Sequence, residues 1–369
     1  MRKIKVYLQS PWKFSDSSYY KFLLDNPPKN VEYFGTLKKK RGIIENKKKI
    51  AIYREVKETA KKILKKMKLS FVNAHLSKNI ENYDLIHNAH CLSLNKKPWV
   101  ADIEWHSQFS IPMDSKNPQR KKIRKILMNK YCKKIIPWTK IVEKNILKQF
   151  PEIKNKVEVV YPGIPAPKFK KVKSKKIRLL FLSRFFYTKG GLHALEVFNK
   201  LSKKYDNIEL RFISRTPKEI LKKYSKNKKI IFSELIPQKE LFEKVYPRTD
   251  ILVYPAYVDS FGFAITEALS FGIPVVSVGG SSREELITNG ETGFIIPKPK
   301  NLDYQKIGKT EEEVINKIIE KTSKLIENKR LREKMSKAAR QEIEIGKFSI
   351  EKRNEKLKRI YNEALKDNE

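Results

Sequence analysis

The stretch Asp250–Val278, DILVYPAYVDSFGFAITEALSFGIPVVSV, decides how this chain is read. DILVYPAY is an apolar run that ends as a strand, FAITEALSF repeats its apolar residues with helical period, and IPVVSV is a β-branched run of the kind buried on both faces of a sheet. Strand, turn, helix and strand follow one another without a break. Asp259, Ser260, Phe261 and Gly262 therefore form the turn into the helix, where unpaired amide N–H groups and the positive dipole end favour a phosphate or a sugar hydroxyl. Glu267 lies eight positions after Asp259, a rise of ~12 Å along a helix. Two carboxylates at that spacing are able to touch opposite ends of an extended ligand. Asp259 and Ser260 also read as a plain N-cap. An ionised Glu267 among Ala264, Ile265, Ala268, Leu269 and Phe271 needs a partner, either a structural lysine or ligand hydroxyls.

The same alternation runs outward in both directions. Upstream, IKVYLQ, a helix over 18–25, VEYFG, a helix over 49–68, DLIHNAH, PWVADIEWH, a helix over 118–130, KKIIPW, a helix over 140–149 and VEVVYPG follow in order. IPAPKFKKVKSKK then shows no periodicity and reads as a linker at 166–175. The pattern restarts with RLLFLS, ELRFIS, KIIFSE, DILVYP, PVVSVGG and TGFIIP. This predicts α/β architecture with two doubly wound parallel sheets, one in 1–165 and one in 176–345, with a ligand cleft between them. Residues 346–369 end in an amphipathic helix with Ile350, Leu357, Ile360, Tyr361 and Leu365 on its apolar side.

The 369 residues suffice for two cores, and 40% hydrophobic with 11% aromatic residues is a globular composition. Eighty-one basic against 41 acidic residues give a net charge of +40, which attracts polyanions without specificity. Lysine outnumbers arginine, so much of this charge reads as solvated surface. Cys91 and Cys132 make no disulfide framework or zinc spacing, which fits a reducing, cytoplasmic setting. The start, MRKIKVYLQS, has no apolar h-region, so no signal peptide is expected. The apolar window Phe261–Gly280 contains Glu267 and a Gly-Ile-Pro break, so it divides into helix and strand rather than spanning a bilayer.

FLSRFFYTKGGLHALEVF carries a second signal: Arg184 and Lys189 flank a turn after a strand, and Gly190 and Gly191 open the next helix, so two cations converge where a phosphate fits. With RFFYTKG, DSFGFAITEALSFGIPVV, EVVYPGIP and SSREELITNGETGFIIP in this order, the chain resembles the retaining glycosyltransferases of the GT-B fold, in the large fourth family that includes phosphatidylinositol mannosyltransferases. The resemblance covers about Tyr131 to Pro297. It implies that Arg184 and Lys189 neutralise a donor diphosphate, that Glu267 binds the ribose hydroxyls, and that Asp259 with the amides of Phe261, Gly262, Phe263 and Ala264 holds the transferred sugar and phosphate. Asp259 is one methylene shorter than the family's usual Glu. By resemblance His106 lies beside sugar and acceptor, with Glu104 two residues earlier on the same strand face and Ser17 in the loop after the first strand on the acceptor side. His87 and His90 read as structural. Fixed cations and helix ends replace a metal in this pattern, so no metal or cofactor is expected.

The implied function is transfer of a sugar from a nucleotide-diphosphate donor to a glycan or lipid-linked hydroxyl acceptor, with retention. The rival readings are an epimerase or phosphorylase of the same fold, and a basic nucleic-acid-binding protein. The last lacks RNP-like aromatic runs and a recognition helix, so no specific nucleic acid is expected. The helix KKIAIYREVKETAKKILKKMKL carries Tyr53, Val56, Ala60, Ile63, Leu64 and Met67 on one side. It reads as a sheet-packing helix or as a peripheral contact with anionic lipid at the inner membrane face.

Overall fold

The computed structural model describes residues 2–9, 18–35, 47–77, 82–303 and 305–366. The chain forms two compact units: Met1–Gly163 with Ile350–Glu369, and Ile164–Ser349. In the first unit, strands β1 (Ile4–Gln9), β2 (Val31–Phe34), β3 (Leu85–Ala89), β4 (Trp99–Ile103) and β5 (Cys132–Pro137) form a five-stranded parallel sheet in the order β2-β1-β3-β4-β5. β3 and β4 are buried at every position, as central parallel strands are. Helices α1 (Ser18–Asp25), α2 (Lys47–Lys66), α3 (Arg120–Met128) and α4 (Lys140–Gln149) join them. Thr139 caps α4 by accepting from the Val142 amide. Trp99, Ile103, Ile123, Leu127, Ile146 and Phe150 lie in one core of this unit.

The second unit holds β6 (Ile177–Ser183), β7 (Ile208–Ser214), β8 (Ile230–Ser233), β9 (Ile251–Tyr254), β10 (Val275–Val278) and β11 (Gly293–Ile296), all parallel, in the order β8-β7-β6-β9-β10-β11. From β6 the chain winds outward through β7 and β8, then returns to add β9, β10 and β11 on the other side. The direction reverses between β6 and β9. In open α/β sheets ligands bind outside the carboxyl ends of the strands at such a switch point. Helices α5 (Gly191–Lys204), α6 (Lys218–Tyr224), α7 (Phe263–Ser270), α8 (Lys309–Glu327) and α9 (Lys329–Glu344) belong to this unit. Phe181, Leu195, Phe198, Phe212, Ile315 and Ile318 lie in its core. The apolar window Phe261–Gly280 is divided into α7 and β10, and among the described residues no helix is long and apolar enough to cross a membrane.

The structure differs from the sequence reading at four places. VEVVYPG forms no strand: Val157 makes one bridge to Ile135, and Glu158 and Val160 donate to Ile135 and Pro137 along the edge of β5 before Pro162 ends the pairing. Part of the expected linker is laid on the second unit. Phe169 packs on Phe271 with ring centroids 4.7 Å apart, and the Val172 amide donates to Pro247. The C-terminal helix α10 (Ile350–Lys366) buries Arg353, Leu357, Ile360, Tyr361 and Ala364, with Leu365 half-buried. Arg353 is admitted because it donates to the Asn26 carbonyl and the Asn354 side chain. On α2, Val56 and Ile63 are exposed, as is Met67 just past its end, so the expected sheet-packing face is not buried; the side chain of Tyr53 lies outside the described residues.

Candidate active site

The loops after β6 and β9 meet at the switch point because Gly190 lets them. Gly190, with φ +72°, precedes α5, and a Cβ there would stand 2.2 Å from the Pro255 carbonyl oxygen. The Tyr257 amide donates to Thr188, tying the same loops. Lys189 is thereby brought to Asp259: its Nζ lies 2.8 Å from Oδ1 and donates to the Val258 carbonyl at 2.7 Å. The pair is well buried, with side chains 13% and 8% exposed. Arg184 is exposed at the carboxyl end of β6.

Asp259 is held from several directions. The Tyr254 hydroxyl, at the end of β9, donates to Oδ2 at 2.9 Å, and the Ser260 amide to Oδ1 at 3.0 Å. Burial, and then the Asp259 charge, push the Tyr254 phenol far above its ordinary range, so it stays a donor. The guanidinium of Arg283, fully buried, donates to the carbonyls of Val278 at 2.6 Å and Gly279 at 3.0 Å. Burial lowers the Arg283 pKa, and the charge of Asp259 opposes that shift. The Tyr257 carbonyl accepts from Lys298 Nζ at 3.0 Å.

Gly262, with φ +102°, opens α7, and a Cβ there would stand 3.0 Å from Leu286 Cδ1 and 3.5 Å from Asp259 Oδ2. Phe261 is buried, and its carbonyl accepts from Ser282 Oγ at 2.6 Å, whereas Phe263 and Ala264 in the first turn are half-buried. Glu267 is 5% exposed. Its partners include two neutral donors: Gln238 Nε2 at 2.7 Å on Oε1 and the Tyr246 hydroxyl at 2.9 Å on Oε2. Tyr246 is in turn stacked on Phe271, 5.1 Å between centroids. The structure therefore groups Lys189, Asp259, Tyr254 and Arg283 at the mouth of α7, and Glu267, Tyr246 and Gln238 further along it.

In the first unit β4 ends at Ile103, so Glu104 and His106 do not share a strand face. His106 begins a short 3-10 turn, His106–Phe109, and is nearly buried. Burial lowers its pKa, which makes the imidazole neutral at pH 7. Its Nδ1 has no hydrogen-bond partner among the described residues. The Glu104 carboxylate lies 3.7 Å from His90 Nε2. Ser17 lies outside the described residues.

Sequence reasoning missed the group beneath these residues. Asp102, fully buried in β4, accepts from the Tyr20 hydroxyl at 2.5 Å and lies 3.0 Å from His87 Nε2 and 3.5 Å from His90 Nδ1. His87 Nδ1 is 2.6 Å from the Tyr361 hydroxyl, which is 2.8 Å from that of Tyr33. The only signal for it was the pair of histidines in DLIHNAH. Tyr254 and Arg283 were visible in quoted stretches but carried no pattern, and Tyr246 and Gln238 carried none. Among the described residues no three His, Cys, Asp or Glu side chains are grouped so as to hold a metal ion.

Residues 165–342 match the family described as glycosyl transferases group 1. A capsular polysaccharide biosynthesis glycosyltransferase, CapM, of Staphylococcus aureus is 32% identical over 124 residues, which are 34% of this chain and 29% of that protein. A probable sucrose-phosphate synthase of Thermosipho melanesiensis is 28% identical over 162 residues, 40% of this chain and 38% of the relative. The match thus spans less than half of each of these relatives. Among solved structures, a glycosyltransferase from Rickettsia africae superposes with a TM-score of 0.65 at 18% identity, covering 99% of both chains. Anabaena Alr3699/HepE, solved with UDP and glucose, gives 0.58 at 14% identity over 98% of this chain and 100% of its own. The two doubly wound units and these likenesses are the GT-B fold.

Proposed function

We propose, from the match of residues 165–342 to the family described as glycosyl transferases group 1, that the chain moves a sugar from a nucleotide-diphosphate donor to a hydroxyl acceptor with retention of configuration. The observation that carries this reading is the Lys189–Asp259 pair at the first turn of α7, beside the switch point of the second sheet. A cation, a carboxylate and a helix N-terminus at one place suit a ligand whose phosphate and sugar hydroxyls are neighbours.

In this reading Arg184, Lys189 and the amides of Phe263 and Ala264 stabilise the charge that develops on the departing diphosphate. Asp259 orients the sugar hydroxyls, and the Tyr254 hydroxyl and the Ser260 amide fix that carboxylate. Glu267, steadied by Tyr246 and Gln238, takes the ribose hydroxyls. The bond from the anomeric carbon to the diphosphate oxygen breaks as the acceptor oxygen approaches on the same face, and the acceptor proton passes to the departing phosphate oxygen. His106, neutral, hydrogen-bonds a hydroxyl, with Glu104 on the acceptor side. The reading calls on no metal or cofactor, since the diphosphate charge falls to Arg184, Lys189 and the helix end. A glycan or lipid-linked acceptor of cell-surface glycan biosynthesis accords with the likeness to CapM, a capsular polysaccharide biosynthesis glycosyltransferase. A cytoplasmic location with peripheral contact to anionic membrane accords with the exposed Val56 and Ile63 on the lysine-rich α2 and Met67 just past its end.

A thermal-shift panel of UDP, GDP and ADP sugars tests the reading. One donor class is expected to stabilise the wild type, by about 2.7 kcal/mol at a hundredfold excess over its Kd, and to stabilise Glu267→Ala much less. Stabilisation by none of them, or equal stabilisation of Glu267→Ala, removes the site from this role. Turnover of sugar with free phosphate and no nucleotide would instead make the protein a phosphorylase.

A further inference from the structure

The lysine-rich segment that reads as a linker lines a cavity of about 630 Å³ in the second unit. Its cationic lining is Lys171, Lys173, Lys176, Arg178, Lys329 and Arg332; two carboxylates share the lining, Asp250 and Glu333, and Glu209 pairs with Lys176 at 3.4 Å. The cavity lies at the amino ends of β6 and β9, where Arg178 and Asp250 sit. It is thus at the other end of the sheet from Lys189 and Asp259, roughly 20 Å away at ~3.3 Å per strand residue.

We infer that this cavity is a second anion site, distinct from the candidate active site, that takes a small ligand bearing phosphoryl groups.

The cations are presented by anchored backbone. Phe169 packs on Phe271, the Val172 amide donates to Pro247, and Arg178 Nη2 donates to the Val172 carbonyl at 2.5 Å. Asp250 lies at the centre: Lys171 Nζ is 3.2 Å from one oxygen and Arg178 Nε 3.2 Å from the other. Arg332 donates to the last carbonyls of α8, at Ile326 2.9 Å away. A second feature points the same way. α9 begins at this cavity, and its first turn contains no acidic residue but Lys329 and Arg332 instead, so the positive dipole end is left without the carboxylate that usually accompanies it.

Gathering like charges at one place costs free energy that an anion would recover. Arg178 and Arg332 stand near enough to Lys171 to disfavour its charge, while Asp250 favours it. Arginine forks and lysine points together match phosphoryl oxygens rather than a single carboxylate. The volume is that of a pocket for a nucleotide-sized ligand or smaller. The inference does not depend on the transferase reading.

Inorganic pyrophosphate, titrated into the full chain by calorimetry at one ionic strength, is the probe. Lys173→Gln/Lys176→Gln/Lys329→Gln removes three exposed cations, and its affinity should fall about tenfold or more; Arg332→Gln should weaken binding similarly. Arg184→Gln, at the opposite end of the sheet, should leave in place the binding that the triple variant loses. Vesicles of phosphatidylcholine with and without phosphatidic acid distinguish the sources. Tight soluble binding with this variant dependence identifies a free phosphorylated ligand, and binding of the phosphatidic acid vesicles alone, with the same dependence, identifies a lipid headgroup. Unchanged affinity of the triple variant and of Arg332→Gln in both arms, or a loss confined to Arg184→Gln, overturns the inference.

Discussion

Removing Lys189 while keeping Asp259 leaves a buried carboxylate without its ion partner. At 2.8 Å the two charges attract by roughly 6 kcal/mol at an effective dielectric of about 20. Desolvation offsets much of that, but the offset has already been met when only one partner is deleted. Lys189→Met should therefore cost about 3–5 kcal/mol, and Asp259→Asn about the same. The double variant Lys189→Met/Asp259→Asn strands neither charge and keeps the Tyr254 and Val258 neighbours, so its loss should fall short of the sum by about 2 kcal/mol or more. Urea unfolding reads this with a built-in control. Trp99, Trp105 and Trp138 lie in the first unit and residues 164–349 contain no tryptophan, so fluorescence does not report the second unit, which hydrogen exchange at the amides of β9 and α7 follows. The exchange-detected opening should move and the fluorescence midpoint should stay. Losses that add to within about 0.5 kcal/mol, or a fluorescence midpoint that moves as far, would refute the coupling.

Two further outcomes follow from packing. His193 in α5 is fully buried against the Tyr257 ring, neither ring nitrogen has a hydrogen-bond partner among the described residues, and burial lowers its pKa to about 4 from an ordinary 6.5. The unfolded chain therefore binds the extra proton first. The stability His193 protects is present above pH 6.5 and is lost as pH falls towards 4, by about 3 kcal/mol. His193→Leu should flatten the pH dependence of exchange-detected stability by that amount between pH 7 and pH 4, and an identical profile for variant and wild type would count against a neutral buried ring. Gly190→Ala should cost about 1–3 kcal/mol, because φ is +72° and the new Cβ meets the Pro255 carbonyl; a loss under about 0.5 kcal/mol would show that the two loops separate without strain.

The strands and the turn before α7 were legible because each is a local pattern. Apolar runs with period two or none mark strands, and a glycine before a helical period marks where the chain turns. Asp259, Glu267, Arg184 and Lys189 could be singled out for the same reason. What they touch was not legible. Gln238 and Tyr246 reach Glu267 across 29 and 21 residues, and Tyr20 reaches Asp102 across 82, separations over which no periodicity acts. Nor could local pattern tell that the lysines of 168–176 are held against the second unit, since that depends on Phe169 meeting Phe271. The apolar stripe of α2 misled in the opposite sense, because periodicity reports a face and not what covers it.

The return of α10 to the first unit has a consequence for biosynthesis. His87 Nδ1 meets the Tyr361 hydroxyl 274 residues later, and the Asn26 carbonyl meets Arg353 327 residues later. A ribosome releases the whole second unit before either partner exists. The domain whose strands emerge first is therefore completed after the second unit, once α10 is made.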